Sequence, residues 1–332
     1  MNLARHTPVP PRLTALALAA LPLAALSGGP ASAAAFPVTV THTSGTARIE
    51  RPPTRVVALG PHALDLLLSL GVQPVGYGEA AQLGVTNYGS PIRQIRYLGS
   101  RVTGQPVNVG DRFKPNLEVV AALNPDLIVG EHYAAAAYPA LNRTAPTLLF
   151  HGIHTGDWQK SLPALARALG REKRARDVLR RHERLITQAR AALPAPLRGK
   201  RVLVVWNAGG SQKDLFTVLG PRDWTGGFFE SLGLRLLLPG QPDPSLGEGY
   251  RQLGVESLST LDPDAVFVIA SGTNTVSRAR RDWQGSPLTS RLRASRARQV
   301  YFLDVHLFSR IRGPIASELA VRELLRQVRP ER

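Results

Sequence analysis

The stretch 116–129 reads NLEVVAALNPDLIV, and the stretch 255–268 repeats its pattern as VESLSTLDPDAVFV. In each copy a glutamate begins a short segment of helical character, a Pro-Asp pair ends it, and an apolar run follows. Proline forces the preceding residue out of the helical region, and a continuous apolar run is typical of a strand buried on both faces. The chain therefore contains one helix-turn-strand unit written twice.

The repeat predicts short helices at 118–123 and 256–261. Asn116 stands where an N-cap would accept hydrogen bonds from the first helical N–H groups. Asp126 and Asp264 follow the prolines and are expected to form the turns into the next strands. These assignments are structural, and they leave open what the two glutamates do.

The same alternation of strand and helix runs through both halves of the chain. Short apolar runs predict strands at 55–60, 127–130, 147–150, 201–206, 265–270 and 300–303. Helical patterns separate these runs, and such alternation favours parallel sheets with helices on both faces. Since the elements recur in the same order, we predict two Rossmann-like α/β lobes with central, mostly parallel sheets.

A long helical segment separates the two halves. Apolar residues recur at helical spacing from 172 to 193, with arginines between them. We predict a single rigid helix there, with domain boundaries at 34–156 for the first lobe, 157–195 for the helical linker and 196–332 for the second lobe. A stiff connection predicts little movement between the lobes, because hinge closure needs residues that absorb large dihedral changes.

The N-terminal segment 1–33 has the layout of a cleavable signal peptide. It carries Arg5 and Arg12, an apolar run at 13–26 and the small residues 31–33, without any acidic residue. The apolar run is too short to span a membrane. The sequence has no cysteine, which excludes disulfides and a lipid-bearing cysteine, so we expect a free periplasmic protein and not a lipoprotein.

The charge balance is strongly basic, with a net charge of +17. Such a balance often indicates nucleic-acid binding. Export argues against that partner, and the arginines are scattered, so an anionic small ligand or an anionic surface fits better. Solvated arginines of an arginine-rich proteome would explain most of the charge equally well.

The commonest catalytic motifs are missing from the sequence. It contains no HExxH, GxSxG or GxxxxGK[ST] pattern. His151 and His154 lie three residues apart, but no acidic residue follows at metal-ligand spacing, so a zinc or manganese site is not favoured. We expect a non-catalytic protein without a bound cofactor; an exported two-lobed enzyme acting on an anionic substrate is the alternative of a different class.

The order of these motifs resembles a known family. The stretches RVVALGPHALDLLLSLGVQPVGYGE (55–79), VGDRFKPNLEVVAALNPDLIV (109–129), VESLSTLDPDAVFV and the closing PLTSRLRASRARQVYFLD (287–304) are similar to those of substrate-binding proteins of ABC importers for ferric siderophores, cobalamin and haem. The resemblance covers essentially the whole chain after residue 33. It implies a shallow cleft between two lobes, and a monomer that delivers its ligand to a membrane permease.

The resemblance also assigns roles to individual residues. Glu118 and Glu256 match the glutamates, one in each lobe, that dock onto arginines of the paired permease; a local role at the helix N-terminus is the other reading of both. Arg112 matches an arginine directed at the oxygens of a ferric hydroxamate, and Tyr133 lies near a matching tyrosine. Further ligand-binding candidates in the expected cleft loops are Arg310, Arg312, Trp206, Trp224 and Tyr250.

The expected ligand is a ferric siderophore, taken up as cargo and without direct bonds from the protein to the metal. Guanidinium groups are well shaped for the oxygens of such a chelate. Cobalamin and haem stay open as ligands of the same fold, and haem would take Tyr133, His132 or His306 as an axial ligand.

Overall fold

The structure is a computed structural model that describes Met1, residues 36–239 and residues 250–329. The predicted signal peptide at 1–33 lies outside the described residues, apart from Met1. The described residues after position 33 form one compact unit by their contacts. No helix of this described part is long and apolar enough to cross a membrane.

The first lobe is built on a five-stranded parallel sheet, preceded by an antiparallel hairpin of β1 (Val38–His42) and β2 (Gly45–Ile49). Its order is β5-β4-β3-β6-β7, with β3 (Val56–Leu59), β4 (Gly76–Glu79), β5 (Val107–Asp111), β6 (Leu127–Glu131) and β7 (Thr147–Phe150). Its helices are α1 (Pro61–Ser69), α2 (Pro91–Gln94), α3 (Leu117–Ala122) and α4 (Tyr138–Thr144). Every residue of β3, β6 and β7 is buried, as continuous apolar runs predict.

Two helices follow the first sheet. Helix α5 (Asp157–Leu169) packs into the first lobe's core through Trp158, Leu162 and Leu165, so this core extends beyond the boundary at 156 that the sequence suggested. Helix α6 (Glu172–Ala192) has 21 residues and is about 32 Å long. The long helix predicted at 172–193 is therefore confirmed.

The second lobe contains a mixed sheet. Its order is β11-β9-β8-β12-β13, with β10 also paired to β8. The strands are β8 (Arg201–Asn207), β9 (Leu215–Leu219), β10 (Arg235–Leu236), β11 (Tyr250–Gly254), β12 (Ala265–Ala270) and β13 (Val300–Asp304). The helices are α7 (Trp224–Ser231), α8 (Val255–Leu261), α9 (Val276–Gly285), α10 (Pro287–Ser290), α11 (Arg293–Arg296) and α12 (Pro314–Gln327). Strand β9 runs antiparallel to both β8 and β11, which distinguishes this sheet from the all-parallel first one.

The repeated Pro-Asp turns have the same role in both lobes. Asp126 accepts hydrogen bonds from the backbone N–H groups of Thr54 and Arg55, each at 2.8 Å. In the second lobe Asp264 accepts from the backbone N–H of Arg201 at 2.9 Å. Each aspartate thus fixes the start of a neighbouring central strand. Asn116 caps α3 as predicted, since its side chain accepts from the N–H groups of Glu118 and Val119.

Two helices join the cores of the lobes. Val178 in the first half of α6 belongs to the first lobe's core, while Ala189 in its second half belongs to the second lobe's core. Helix α12 does the same, with Ile315 near its start in the first core and Leu324 in its second half in the second core. Helix α12 is a second bridge that the sequence did not predict, and it packs directly against α6.

Candidate functional site

The carboxyl ends of the first lobe's strands form the wall that meets the second lobe. Glu79 ends β4, Arg112 follows β5, and Glu131 ends β6. Gly60, which follows β3, has φ 101° and leaves room for these side chains: a Cβ at this position would lie 2.9 Å from Glu131 Oε1. Since open α/β sheets bind ligands beyond the carboxyl ends of their strands, this edge is the candidate site.

Arg112 is 8% exposed and lies at the centre of this wall. Its Nη1 donates to Glu131 Oε1 at 3.0 Å. Its guanidinium lies over the rings of Phe113, 4.7 Å away, and Tyr133, 5.0 Å away. The sequence predicted that Arg112 and Tyr133 would act together, and the structure brings them into contact.

Glu131 is shared between the two lobes. Its second oxygen, Oε2, accepts a hydrogen bond from Nη2 of Arg312, which comes from the second lobe. Burial alone would raise the pKa of this carboxyl, but Arg312 and Arg112 together hold the pKa below its ordinary value. Glu131 is therefore a buried, ionised residue that joins one arginine of each lobe.

An unusual backbone conformation positions Arg312. It has φ 58°, in the left-handed region, and follows a π-helical turn at His306–Ile311. The ring nitrogen His62 Nδ1, from α1, is 3.1 Å from the carbonyl oxygen of Ile311. Such conformations persist where surrounding contacts hold them, and they are frequent at functional sites.

A second buried pair lies beside the first. Arg310 donates to Glu79 Oε1 at 2.8 Å, and Tyr77 donates its hydroxyl to Glu79 Oε2 at 2.6 Å. His306 Nε2 is 3.9 Å from Glu79, and burial lowers the pKa of this histidine to about 4, so its ring is neutral at pH 7. We call Arg112, Glu131, Arg312, Glu79 and Arg310 the cleft cluster.

Neither Glu79 nor Glu131 was predicted from the sequence. Each is the acid of a Gly-Glu pair that ends a buried parallel strand. An acidic residue at the carboxyl end of a buried strand is the signal that could have indicated both.

Aromatic residues of the second lobe lie near the cluster. Trp206 stacks on Tyr250 with ring centroids 5.3 Å apart, and its Nε1 donates to Ser309 Oγ at 2.8 Å. Tyr250 in turn donates its hydroxyl to Asp223 at 2.8 Å. Both rings are half-buried, which leaves part of each able to contact a ligand.

Trp224 has a different environment from the one the sequence suggested. It is 4% exposed, belongs to the first lobe's core and stacks on Phe228 with centroids 5.7 Å apart. Its ring packs among apolar side chains of that core, so the structure corrects the placement of Trp224 from the cleft to the core.

The histidines form no metal centre in the described part of the chain. His154 Nδ1 lies 3.6 Å from Asp157, and His151 contacts the ring of His132 with centroids 4.9 Å apart. Among the described residues, no group of three or more His, Cys, Asp or Glu side chains could hold a metal ion.

Glu118 and Glu256 occupy equivalent places in the two lobes. Each is exposed and lies in the first turn of a helix, α3 or α8, close after the carboxyl end of strand β5 or β11. Strand β11 runs in the same direction as β8, because both are antiparallel to β9. Both carboxylates therefore lie on the side of their sheet that bears the cleft loops.

A family model and individual known proteins both match most of this chain. A family model described as "Periplasmic binding protein" matches residues 56–307. The Fe(3+)-citrate-binding protein YfmC of Bacillus subtilis is 28% identical over 287 residues, covering 86% of this chain and 84% of that protein. The Fe(3+) dicitrate-binding periplasmic protein FecB of Escherichia coli is also 28% identical over 287 residues, covering 86% of this chain and 88% of the relative.

A solved structure agrees with the described fold. Staphylococcus aureus SirA, crystallised in complex with staphyloferrin B, has a TM-score of 0.69 and 25% sequence identity. The match covers 88% of this chain and 98% of SirA. The two-lobed architecture is thus shared over nearly the whole of both chains.

Proposed function

This chain belongs to the periplasmic binding protein family, and from that membership we propose that it captures a ferric siderophore in its inter-lobe cleft and delivers it to an ABC importer for iron uptake. The iron chelate is cargo, and no resident cofactor is part of this function. Relatives of the chain are named as binding proteins for ferric citrate and other ferric siderophores.

The observation that carries the proposal is the convergence of arginines from both lobes. Arg112 of the first lobe and Arg312 of the second bond to the same carboxylate, and Arg310 lies beside them. The oxygens of a ferric chelate carry negative character, for which guanidinium donors are well shaped. We propose that Arg112, Tyr133 and Arg310 hold the chelate's oxygens, and that Arg312, whose side chain is 5% exposed, supports them through Glu131.

The aromatic pair would complete the pocket. Trp206 and Tyr250 form a stacked, half-buried surface beside the cleft. Small-molecule pockets are largely apolar with a few polar anchors. We propose that these two rings cover the rim of the bound chelate.

Glu118 and Glu256 are proposed as the permease-docking residues. Their exposure, their place on the cleft side of each lobe and their presence in both copies of one motif support this role. An ABC importer presents paired membrane subunits, and a monomer with one carboxylate in each lobe matches a paired, basic partner.

We further propose an exported protein that works in the periplasm without a lipid anchor. Its relatives include a periplasmic protein of Escherichia coli and a putative lipoprotein of Bacillus subtilis, so the family itself contains both kinds. The cysteine-free sequence favours the untethered form. We propose no catalytic role for the cleft.

A titration of the purified protein tests the function. Ferric and iron-free hydroxamate, catecholate and citrate chelators, with cobalamin and haem, are added while tryptophan fluorescence is followed. Saturable quenching by a ferric chelate, weaker for its iron-free form, is the expected result. Saturable quenching by cobalamin or haem alone would identify a different cargo, and no response to any of them would refute the proposal.

A further inference from the structure

A second cavity lies away from the cleft cluster, where α6 meets the end of α1 and the first turns of α12. Its volume is about 430 Å³. Helix α1 begins beside the cleft cluster, after Gly60, and ends at Ser69. At that far end Arg174 of α6 donates to the carbonyl oxygen of Ser69 at 3.0 Å. The cavity shares no residue with the cleft cluster, and we call it the arginine groove.

The floor of the arginine groove is apolar. It is formed by Leu68 of α1, Val178 and Leu185 of α6, and Pro314 and Ile315 of α12. Val178 and Ile315 also belong to the first lobe's core, so the floor is held by packing that exists without a ligand. The volume of the groove lies in the range of small-molecule sites, which are largely apolar with a few polar anchors. The groove can therefore receive the apolar part of a small ligand.

Four arginines surround this floor: Arg101, Arg174, Arg181 and Arg184. Three of them come from α6, and all four are exposed, so a ligand can reach them from solvent. Arg181 and Arg184 are one turn apart, about 4.5 Å along the helix axis. Side chains at this spacing are neighbours on the helix surface. One anionic group can therefore contact both guanidinium groups.

The charges around the arginine groove do not cancel. In the part of the chain that the structure describes, Glu318 is the single acidic residue that lines it, and this residue already accepts hydrogen bonds from Arg101 and Arg322. Asp65 lies behind Ser69, whose hydroxyl donates to it at 3.2 Å. Four lining arginines against these two carboxylates leave a net charge of about +2 even when Asp65 is ionised.

The side chains of Arg181 and Arg184 are unpaired. Neither forms an ion pair or a side-chain hydrogen bond with the described residues, whereas Arg180 on the same helix pairs with Asp177. His182 also lines the groove, but burial lowers its pKa to about 4, so it adds no charge at pH 7. Like charges one turn apart destabilise a helix. An anion between the two guanidinium groups would remove that repulsion.

We infer that the arginine groove binds a small organic phosphate, with the phosphate held by Arg181 and Arg184 and the apolar part of the ligand on the floor of the groove. A phosphate monoester carries nearly two negative charges on one group at pH 7, which matches the net charge of the groove, and its oxygens fit guanidinium donors. A carboxylate carries only one charge. The inference is independent of the cargo proposed for the cleft.

A ligand in this groove would also affect the whole molecule. Helices α6 and α12 each contribute to the cores of both lobes. A molecule bound between them stabilises the folded protein, because it binds the packed arrangement of the two helices and not the unfolded chain. The thermal midpoint of unfolding should therefore rise with the concentration of the organic phosphate.

The test compares phenyl phosphate with two matched probes, inorganic phosphate and benzyl alcohol. Binding to the mature protein is measured by isothermal titration calorimetry at about 0.15 M salt, which screens the general positive charge of the protein. We expect phenyl phosphate to bind at one saturable site. Inorganic phosphate, which lacks the apolar part, should bind at least about fivefold more weakly. Benzyl alcohol, which lacks the charge, should show no saturable binding.

Variants locate the site. The double variant Arg181→Gln/Arg184→Gln should weaken binding of phenyl phosphate about tenfold or more, because it removes both donors to the phosphate. Since both side chains are exposed and unpaired, the melting profile without ligand should stay that of the wild type. The control Arg167→Gln/Arg176→Gln removes the same charge from exposed positions outside the groove and should leave the affinity unchanged. Arg112→Ala, in the cleft cluster, should also leave it unchanged.

Four results would overturn the inference. They are the absence of saturable binding of phenyl phosphate, equal losses of affinity in the two double variants, a loss of affinity in Arg112→Ala, which would place the anion in the cleft, and equal affinities for phenyl phosphate and inorganic phosphate, which would exclude an organic ligand. None of these results bears on the capture of a ferric siderophore, which the chelator titration tests separately.

Discussion

Glu131 of the first lobe and Arg312 of the second are hydrogen-bonded to each other across the cleft, although 181 residues separate them in the chain. The pair is nearly inaccessible to solvent, with side chains 1% and 5% exposed. The two residues form this ion pair only while the lobes are packed together, so separating the lobes would break it, although Glu131 would keep Arg112 as a partner. Together with α6 and α12, this contact explains why little relative movement of the lobes is expected.

Arg112 should be a main determinant of ligand affinity. Replacing it by alanine removes the guanidinium that faces Tyr133, and a hydrogen bond to a charged group is worth about 1.5–3 kcal/mol. We therefore expect Arg112→Ala to weaken binding of the ferric chelate about tenfold or more in a quenching titration. Arg143→Ala, at an exposed position of α4, is the matched control. Unchanged affinity in a folded Arg112→Ala protein would show that Arg112 does not bind the chelate and serves only as a partner of Glu131.

Docking and ligand binding should be separable. The double variant Glu118→Arg/Glu256→Arg reverses the charge on both proposed docking residues, so it should abolish transporter-dependent iron uptake while leaving solution affinity for the chelate unchanged. Glu183→Arg, exposed on α6, is the control for a charge reversal elsewhere. Normal uptake by the double variant would contradict the docking role and indicate that both glutamates act only at the starts of their own helices.

Trp206 should report ligand binding. It is the half-buried tryptophan next to the cleft, whereas Trp158, Trp224 and Trp283 are at most 5% exposed. We expect Trp206→Phe to lose most of the fluorescence quenching caused by a ferric chelate, and Trp283→Phe, in the second lobe's core, to retain it. Quenching of equal depth in the two variants would contradict the placement of the ligand against Trp206.

Asp65 should make stability depend on pH. Its buried carboxylate accepts hydrogen bonds from the backbone N–H groups of Ile315 and Ala316, at 3.0 and 2.7 Å, and so caps α12. Burial raises the pKa of the carboxyl from 3.8 to about 7. Between these values the folded protein keeps a proton that the unfolded chain has released, so the contribution of Asp65 to stability falls as pH rises to about 7.

The variant Asp65→Asn isolates this effect. Asparagine keeps one acceptor oxygen for the helix but does not titrate, so its stability should lack the part of the pH dependence due to Asp65. The free energy of unfolding of the wild type, relative to the variant, should fall by about 2–3 kcal/mol between pH 5 and pH 8. Urea denaturation at four pH values measures it. A constant difference over that range would show that Asp65 does not titrate there.

Many of the helices and strands could be predicted from the sequence, because each forms from a pattern of residues that lie within a few positions of one another. The apolar run at 265–270 is β12 to the residue, and the helix predicted at 172–193 is α6, which ends at Ala192. The Asn116 cap was also predictable, since it bonds N–H groups two and three residues further along the chain. The Pro-Asp turns were predictable as turns, but the hydrogen bonds of Asp126 and Asp264 to Arg55 and Arg201 span 71 and 63 residues and appear only in the folded protein.

The candidate site was only partly predictable. The arginines at 112, 310 and 312 were identified, but their carboxylate partners were not, because Glu131 and Arg312 meet only when loops of two lobes converge. Trp224 was expected at the cleft, yet it packs into the core of the other lobe. The antiparallel strand β9 and the bridge formed by α12 were likewise missed, since no local pattern distinguishes them.

The sequence by itself determined the repeated α/β units, the long helix and the arginine-rich character of the cleft loops, because periodicity and turn chemistry act over short distances along the chain. The tertiary structure decided which charges are paired and which aromatic rings are accessible. The physical reason is that the energy of a charge depends on its burial and its nearest partner, and both are fixed only when distant segments pack together.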